Sequence, residues 1–76
     1  MLNLDQTGIR DGNLQPLAGI KNLKVLFLEY NRDVTDASQP LFARMRTLVK
    51  LDLVDSGVSD AGLEQLRQTL PNCEIP

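Results

Sequence analysis

A leucine pattern that repeats about every 24 residues is the feature that most constrains what this chain can fold into. Three leucine pairs, each enclosing one residue, are separated by 24 and then 25 positions: Leu2 and Leu4, Leu26 and Leu28, Leu51 and Leu53. A fixed period of this length indicates stacked units that share one core, because a single unit cannot bury its own apolar face. The 76 residues therefore form one domain of three units, at about 1–24, 25–49 and 50–74.

Each unit consists of a predicted strand followed by a predicted helix. The Leu-x-Leu pairs have the period of two expected for a strand with one buried face, and the later apolar residues follow at helical spacing. The pattern predicts strands near 2–4, 26–28 and 51–53, and helices near 13–20, 38–46 and 61–69. Pro16 and Pro40 lie where a regular helix needs a backbone N–H. The first two helices should therefore start late or irregularly, and the third should be the most regular.

Polar residues recur at two positions of the connecting turns. One position holds an aspartate in every unit: Asp11, Asp36 and Asp60. We interpret these as helix N-caps, whose carboxylates accept hydrogen bonds from the free N–H groups of the first turn. The other position holds Thr7, Asn31 and Ser56, for which we predict hydrogen bonds to neighbouring turn backbone. The second unit has one more residue in this turn, which predicts a bulge at Arg32 and Asp33.

The segment Leu48-Val-Lys-Leu51-Asp-Leu53-Val-Asp-Ser56-Gly-Val58 resembles the leucine-rich repeat, whose units follow L-x-x-L-x-L-x-x-N/C-x-L. Ser56 stands where that family has Asn or Cys, while the second unit has the asparagine itself at Asn31. The phrase Val58-Ser-Asp-Ala-Gly-Leu63 is similar to the Asp-Ala-Gly-Leu class of bacterial repeats. The resemblance covers the whole chain and implies an α/β fold: a right-handed βα leucine-rich-repeat solenoid, or horseshoe, of three repeats with its parallel sheet on the concave side.

Composition excludes several classes of function. The chain has no histidine and a single cysteine, Cys73, which removes common zinc sites, the usual general base and internal disulfides. We therefore expect no enzyme activity, no cofactor and no metal, and a structural role for Cys73 with an intermolecular disulfide as the alternative. The net charge of −2 and the absence of a basic cluster argue against binding to nucleic acid or membranes. No signal-peptide pattern occurs at the N-terminus, which favours a cytoplasmic location.

The strand residues that alternate with the leucines are the candidate binding surface, because the resemblance places them on the concave face. We predict a protein–protein interaction module with Phe27 and Tyr30 as aromatic anchors. Its acidic rim is predicted to consist of four residues: Asp5, Glu29, Asp52 and Asp55. Such a surface favours a protein or peptide partner that is basic around an apolar centre. A solvated sheet face with no partner remains an alternative.

A structural role is the second functional alternative. The chain would then be an assembly segment of a longer repeat array, or would self-associate as a homo-oligomer through its N-terminal end. The first predicted strand has an unpaired edge, and exposed edges favour pairing with another chain. Pro76 cannot donate a backbone hydrogen bond and would protect the opposite end.

Overall fold

The computed structural model describes all residues 1–76 as an α/β domain built on a three-stranded parallel sheet. The strands are β1 (Leu2–Asn3), β2 (Val25–Phe27) and β3 (Lys50–Asp52), and they lie side by side in that order. Leu26 pairs with Leu2 on one side and with Leu51 on the other. The register is therefore the one that the leucine period predicted, and each strand lies within one residue of its predicted bounds.

The connecting segments become more helical from the first to the third. The first contains only two 3-10 turns, Asp11–Asn13 and Gln15–Gly19. The second has a 3-10 turn, Asp36–Ser38, followed by the short helix α1 (Gln39–Ala43). The third is the ten-residue helix α2 (Asp60–Thr69), and it alone lacks a proline in its first turn. This gradient confirms the prediction made from the prolines, although 13–20 is not an α-helix and α1 ends three residues before the predicted position 46.

The core lies between the sheet and the helical segments. Sixteen buried apolar residues form one cluster, and the leucines of the second and third strands are fully enclosed in it. Leu2 and Leu4 are only half-buried, since β1 has a neighbouring strand on one side alone. No helix is long and apolar enough to span a bilayer.

Asn31 joins the first two units through its buried side-chain amide. Its Oδ1 accepts from the backbone N–H groups of Thr7 and Gly8 at 3.1 Å each, and its Nδ2 donates to the Leu4 carbonyl at 2.9 Å. Asn31 is 1% exposed, so water cannot replace these partners easily. The predicted structural role of this position is confirmed. Its counterpart Thr7 instead bonds within its own unit, through a hydroxyl that donates to the Leu4 carbonyl at 2.8 Å.

The recurring aspartates do not cap their own helices, so that prediction was wrong. The Asp11 carboxylate accepts from the backbone N–H of Thr35 at 2.9 Å and from its hydroxyl at 2.6 Å. Asp36 accepts from the N–H and hydroxyl of Ser59 at 2.8 and 2.6 Å. Asp11 and Asp36 therefore each bond to the next unit rather than to their own helical segment. Thr35 and Ser59 are the residues that occupy the N-cap positions.

These bonds across units change the acidity of both carboxyl groups. Burial alone would raise the pKa of Asp11, but hydrogen bonds from Ser38 and Thr35 outweigh it and lower that pKa. Hydrogen bonds from the Ser59 hydroxyl and amide likewise lower the pKa of Asp36. Both groups are therefore more stable as carboxylates in the folded chain than in the unfolded chain, and they stabilise the fold until the pH falls through their pKa values.

The extra residue of the second unit forms a turn at Arg32 and Asp33, as predicted. The third unit accommodates that turn with a glycine. A Cβ atom at Gly57 would collide with the Arg32 carbonyl oxygen and would lie 2.9 Å from that of Val34. The Gly57 N–H donates to the same Val34 carbonyl at 2.8 Å, so the two backbones cannot separate without losing that bond.

Replacing Asn31 by Ala should lower the free energy of unfolding by about 2 kcal/mol, since the variant leaves part-buried backbone groups of the first unit without their partners. Asn72 is exposed, and Asn72→Ala is the matched control, expected to change stability by less than about 0.5 kcal/mol. Urea denaturation of both variants measures the difference. Equal midpoints for the two would contradict the assigned role of Asn31.

Replacing Gly57 by Ala should also destabilise the chain by about 2 kcal/mol, because the new methyl group meets backbone that cannot move aside. Gly12→Ala provides the comparison, since a Cβ atom there has no neighbour within 4 Å. That control should be neutral or slightly stabilising through the unfolded state. Thermal melts of the two variants give the test, and a Gly57→Ala melt as high as that of Gly12→Ala would refute the close approach.

Candidate functional site

The outer sheet face is the side of the strands that points away from the leucine core. Phe27 lies on it in the middle strand and is half-buried. The Lys50 ammonium lies 5.5 Å from the centre of the Phe27 ring, a cation–π distance. Lys50 also pairs with Glu74, with 3.8 Å between Nζ and Oε2. The structure therefore places Phe27 where it was predicted but covers part of its ring with Lys50.

Tyr30 is the most exposed aromatic side chain of the candidate site, with 53% of its surface accessible. It follows β2 in a left-handed backbone conformation with a φ of 65°, and Gln6 and Asp55 adopt the same conformation at the equivalent positions. Positive φ is unfavourable for a side chain with a Cβ atom, so the surrounding structure must impose it. The repeated geometry turns the chain after each strand and leaves the Tyr30 ring at the edge of the outer sheet face.

The predicted acidic rim forms a closely connected group rather than a set of separate surface charges. The Asp5 Oδ1 accepts from the backbone N–H of Glu29 at 2.6 Å. Asp52 is only 5% exposed, and its Oδ1 accepts from the N–H of Val54 at 3.1 Å. The expectation that Asp52 is an accessible rim charge was wrong, because the β2 strand on one side and the segment around Glu74 on the other enclose it. Asp55 is exposed.

The carboxyl group of Glu29 has a raised pKa, and the neighbouring Asp52 is the main cause. A hydrogen bond with the Asp52 carboxyl raises the pKa of Glu29 to about 7, and burial and the negative charges of Asp52, Asp5 and Asp55 add to the effect. Two neighbouring carboxyl groups cannot both ionise freely, so one of them keeps its proton well above the usual range. The negative charge of the outer sheet face therefore changes close to neutral pH.

Sequence reasoning identified the acids of this face but missed their interaction and the covering of Phe27. The strand register contains the signal for both. It places Phe27 opposite Asp52 across the β2–β3 pair, and it places Lys50, two residues before Asp52, opposite Val25. The order of the strands alone does not show that the Lys50 side chain crosses over to the ring.

The remaining surface contains one large cavity. The largest cavity, about 570 Å³, is open and polar, and six residues line it: Arg10, Asp11, Gly12, Asn13, Asp33 and Thr35. No group of three or more His, Cys, Asp or Glu side chains is placed to hold a metal ion.

Burial, with a smaller contribution from the charge of Glu74, raises the pKa of the Cys73 thiol. A buried thiol with a raised pKa is a poor nucleophile.

Comparison of the chain with known protein families, curated proteins and solved structures found no match. The functional conclusion therefore depends on the outer sheet face and on the sequence pattern.

The raised pKa of Glu29 should make the fold more stable in mild acid than at neutral pH. The folded pKa of Glu29, about 7, lies above the ordinary value of 4.5, so the unfolded chain releases this proton first as the pH rises. The contribution of Glu29 to stability is therefore present below pH 4.5, is lost between pH 4.5 and about 7, and is constant above that. Urea midpoints measured across this range should fall with increasing pH.

Glu29→Gln should remove most of that pH dependence, because glutamine does not titrate but can still donate to Asp52. The exposed acid Glu64 provides the matched control, and Glu64→Gln should keep the slope of the parent chain. A slope that survives in Glu29→Gln would show that another group is responsible.

Proposed function

We propose that this chain is a leucine-rich-repeat solenoid of three repeats. We further propose that it binds a protein or peptide through the outer sheet face, which would be the concave face of such a solenoid. Three observations support the proposal: the leucine period, the in-register pairing of Leu2, Leu26 and Leu51, and the left-handed backbone repeated after each strand. The role is one of binding rather than catalysis. Arrays of strand–helix units commonly use the exposed side of their strands for recognition.

The exposed Tyr30 ring beside an acidic surface is the observation that carries the proposal. Large aromatic side chains at the centre of an interface tend to supply most of the binding energy. Two acids, Glu29 and Asp55, lie close together beside the ring. Lys50, which lies on the same face, is already paired with Glu74. The partner that this surface fits has an apolar centre flanked by Lys or Arg.

The observed cover on Phe27 modifies the predicted anchor pair. A partner can contact the part of the ring under Lys50 only if Lys50 moves away, and that movement gives up the cation–π contact. Tyr30 therefore contributes more than Phe27 in this proposal. Asp52 acts through the charge of Glu29 rather than by contact, because it is buried.

Assembly through the N-terminal end is the second candidate function. Met1 is 83% exposed at this end, and Leu2, Leu4 and Ile9 are only half-buried against the core. An apolar surface at the end of a sheet favours contact with another chain. Assembly through this end would not be affected by Tyr30→Asn, since Tyr30 lies elsewhere on the molecule.

Tyr30→Asn should weaken partner binding by about 2 kcal/mol without changing stability appreciably. Asparagine is chosen because it tolerates the left-handed backbone of position 30, where alanine would add strain. The probe is a basic peptide with an apolar centre, selected from a random display library on the parent chain. Affinity is measured by isothermal titration calorimetry for the parent and the variant.

Ile20→Ala is the control, because Ile20 is 43% exposed but lies on the helical side of the molecule. It should bind the selected peptides as well as the parent does. Peptides that bind Tyr30→Asn and the parent equally would contradict the concave-face proposal. They would favour the N-terminal end or the helical side as the contact.

A further inference from the structure

The segments that lead into β2 and β3 are basic, although the chain as a whole is acidic. Positions 14–24 and 37–49 contain no aspartate or glutamate, whereas the full chain has ten. Four bases lie in these two segments, and all four are exposed: Lys21, Lys24, Arg44 and Arg46. The segments therefore form a locally basic surface that the net charge of −2 does not show.

Three of these bases meet at one cavity between the first and second units. Lys21, Arg44 and Arg46 all line it, and its volume is about 240 Å³. The parallel register explains this placement, because continuing it back from Val25 and Lys50 aligns Lys21 with Arg46. The two ion pairs of the chain involve other bases, so these three charges have no acidic partner. Like charges around one cavity repel one another, and a negatively charged ligand would offset that repulsion.

The same cavity has apolar walls held in place by the fold. Leu17, Ile20 and Met45 line it beside the three bases, and Ile20 is 43% exposed. The two turns around the cavity are joined by the Thr47 hydroxyl, which donates to the Leu23 carbonyl at 2.8 Å. A surface that is already ordered loses less entropy on binding than one that must first be formed. The cavity therefore offers positive charge and apolar contact at fixed positions.

A second, smaller cavity continues this surface between the second and third units. Its volume is about 90 Å³, and Arg46 lines it as well as the first cavity. Leu48 and Leu70 supply part of its apolar lining. No acid and no aromatic side chain lines either cavity. We call the two cavities together the basic groove, which extends across all three units with Arg46 common to both parts.

We infer that the basic groove binds an acidic segment of another protein, with one apolar side chain of that segment against Ile20. Carboxylates on either side of this apolar side chain pair with the three bases of the groove. A segment fits better than a small anion, because the second cavity extends the contact surface and Arg46 belongs to both cavities.

Two further observations restrict the partner. Single-stranded nucleic acid is bound largely by stacking of its bases on aromatic side chains, and the groove has none. No residue of the outer sheet face lines either cavity, so this inference is independent of the concave-face proposal. The two surfaces also have opposite charge, and they therefore select different partners.

The probe is a peptide with one central apolar residue and Asp or Glu on both sides, selected from a display library on the parent chain. Calorimetry should show that it binds at low salt and binds more weakly as the salt concentration rises, because the charges involved are exposed. In NMR titrations its footprint should include the amides of Asn22 and Thr47, which lie in the two turns of the first cavity.

Arg46→Gln should weaken binding of this peptide by about tenfold or more, because hydrogen bonds between charged groups are lost at the residue common to both cavities. Lys21→Gln should weaken it by about threefold, the effect of one exposed ion pair. Arg32→Gln is the matched control. It removes an exposed base in the turn after β2, outside the groove, and should leave affinity within about twofold.

Two variants separate the groove from the outer sheet face. Ile20→Ala should weaken the acidic peptide by about fivefold, because apolar contact surface is lost, and should leave binding of the basic peptides unchanged. Tyr30→Asn should have the opposite pattern. Binding of the acidic peptide therefore tests the groove even if no basic peptide binds to the outer sheet face.

Three results would overturn the inference: failure to select any acidic peptide, equal affinity of Arg46→Gln and Arg32→Gln, or a footprint confined to the outer sheet face. A fourth is an oligothymidylate that binds as tightly as a peptide of the same charge, since the groove would then recognise charge alone.

Discussion

Side-chain hydrogen bonds between units at equivalent positions are the interaction on which the rest of this structure depends. No unit encloses its own leucines, so the core exists only where two units are held in register. Asn31 reaches back to the first unit, while Asp11 and Asp36 reach forward to the next. A polar side chain that bonds to backbone of a neighbouring unit specifies the register more strictly than apolar packing, because its donors and acceptors have direction.

The same register determines the chemistry of the outer sheet face. Parallel strands lie close together, so the alignment that packs leucine against leucine on one side also brings Glu29 and Asp52 into contact on the other. The resulting carboxyl pair is a cost to the fold at neutral pH. It also gives the proposed binding surface a charge that depends on pH, because the pKa of Glu29 is about 7.

The two ends of the sheet are chemically different. The N-terminal end exposes apolar side chains but satisfies part of its edge through Asn3. The β3 side is covered by the C-terminal segment, in which Cys73 and Ile75 are buried and the Glu74 carbonyl accepts from the Leu51 N–H at 2.9 Å. The core is therefore better enclosed at this side of the sheet than at β1.

The sequence alone determined the strands, their register, the increasing regularity of the helical segments and the structural role of Asn31. These features follow from periodicity and from prolines, which act within one unit and are visible along the chain. Only the tertiary structure decided that Asp11 and Asp36 bond to the following unit, that Asp52 is buried, and that Lys50 covers Phe27. Those outcomes depend on distances between units, where the length of a side chain and the position of its neighbour decide whether it caps its own helix or reaches the next unit.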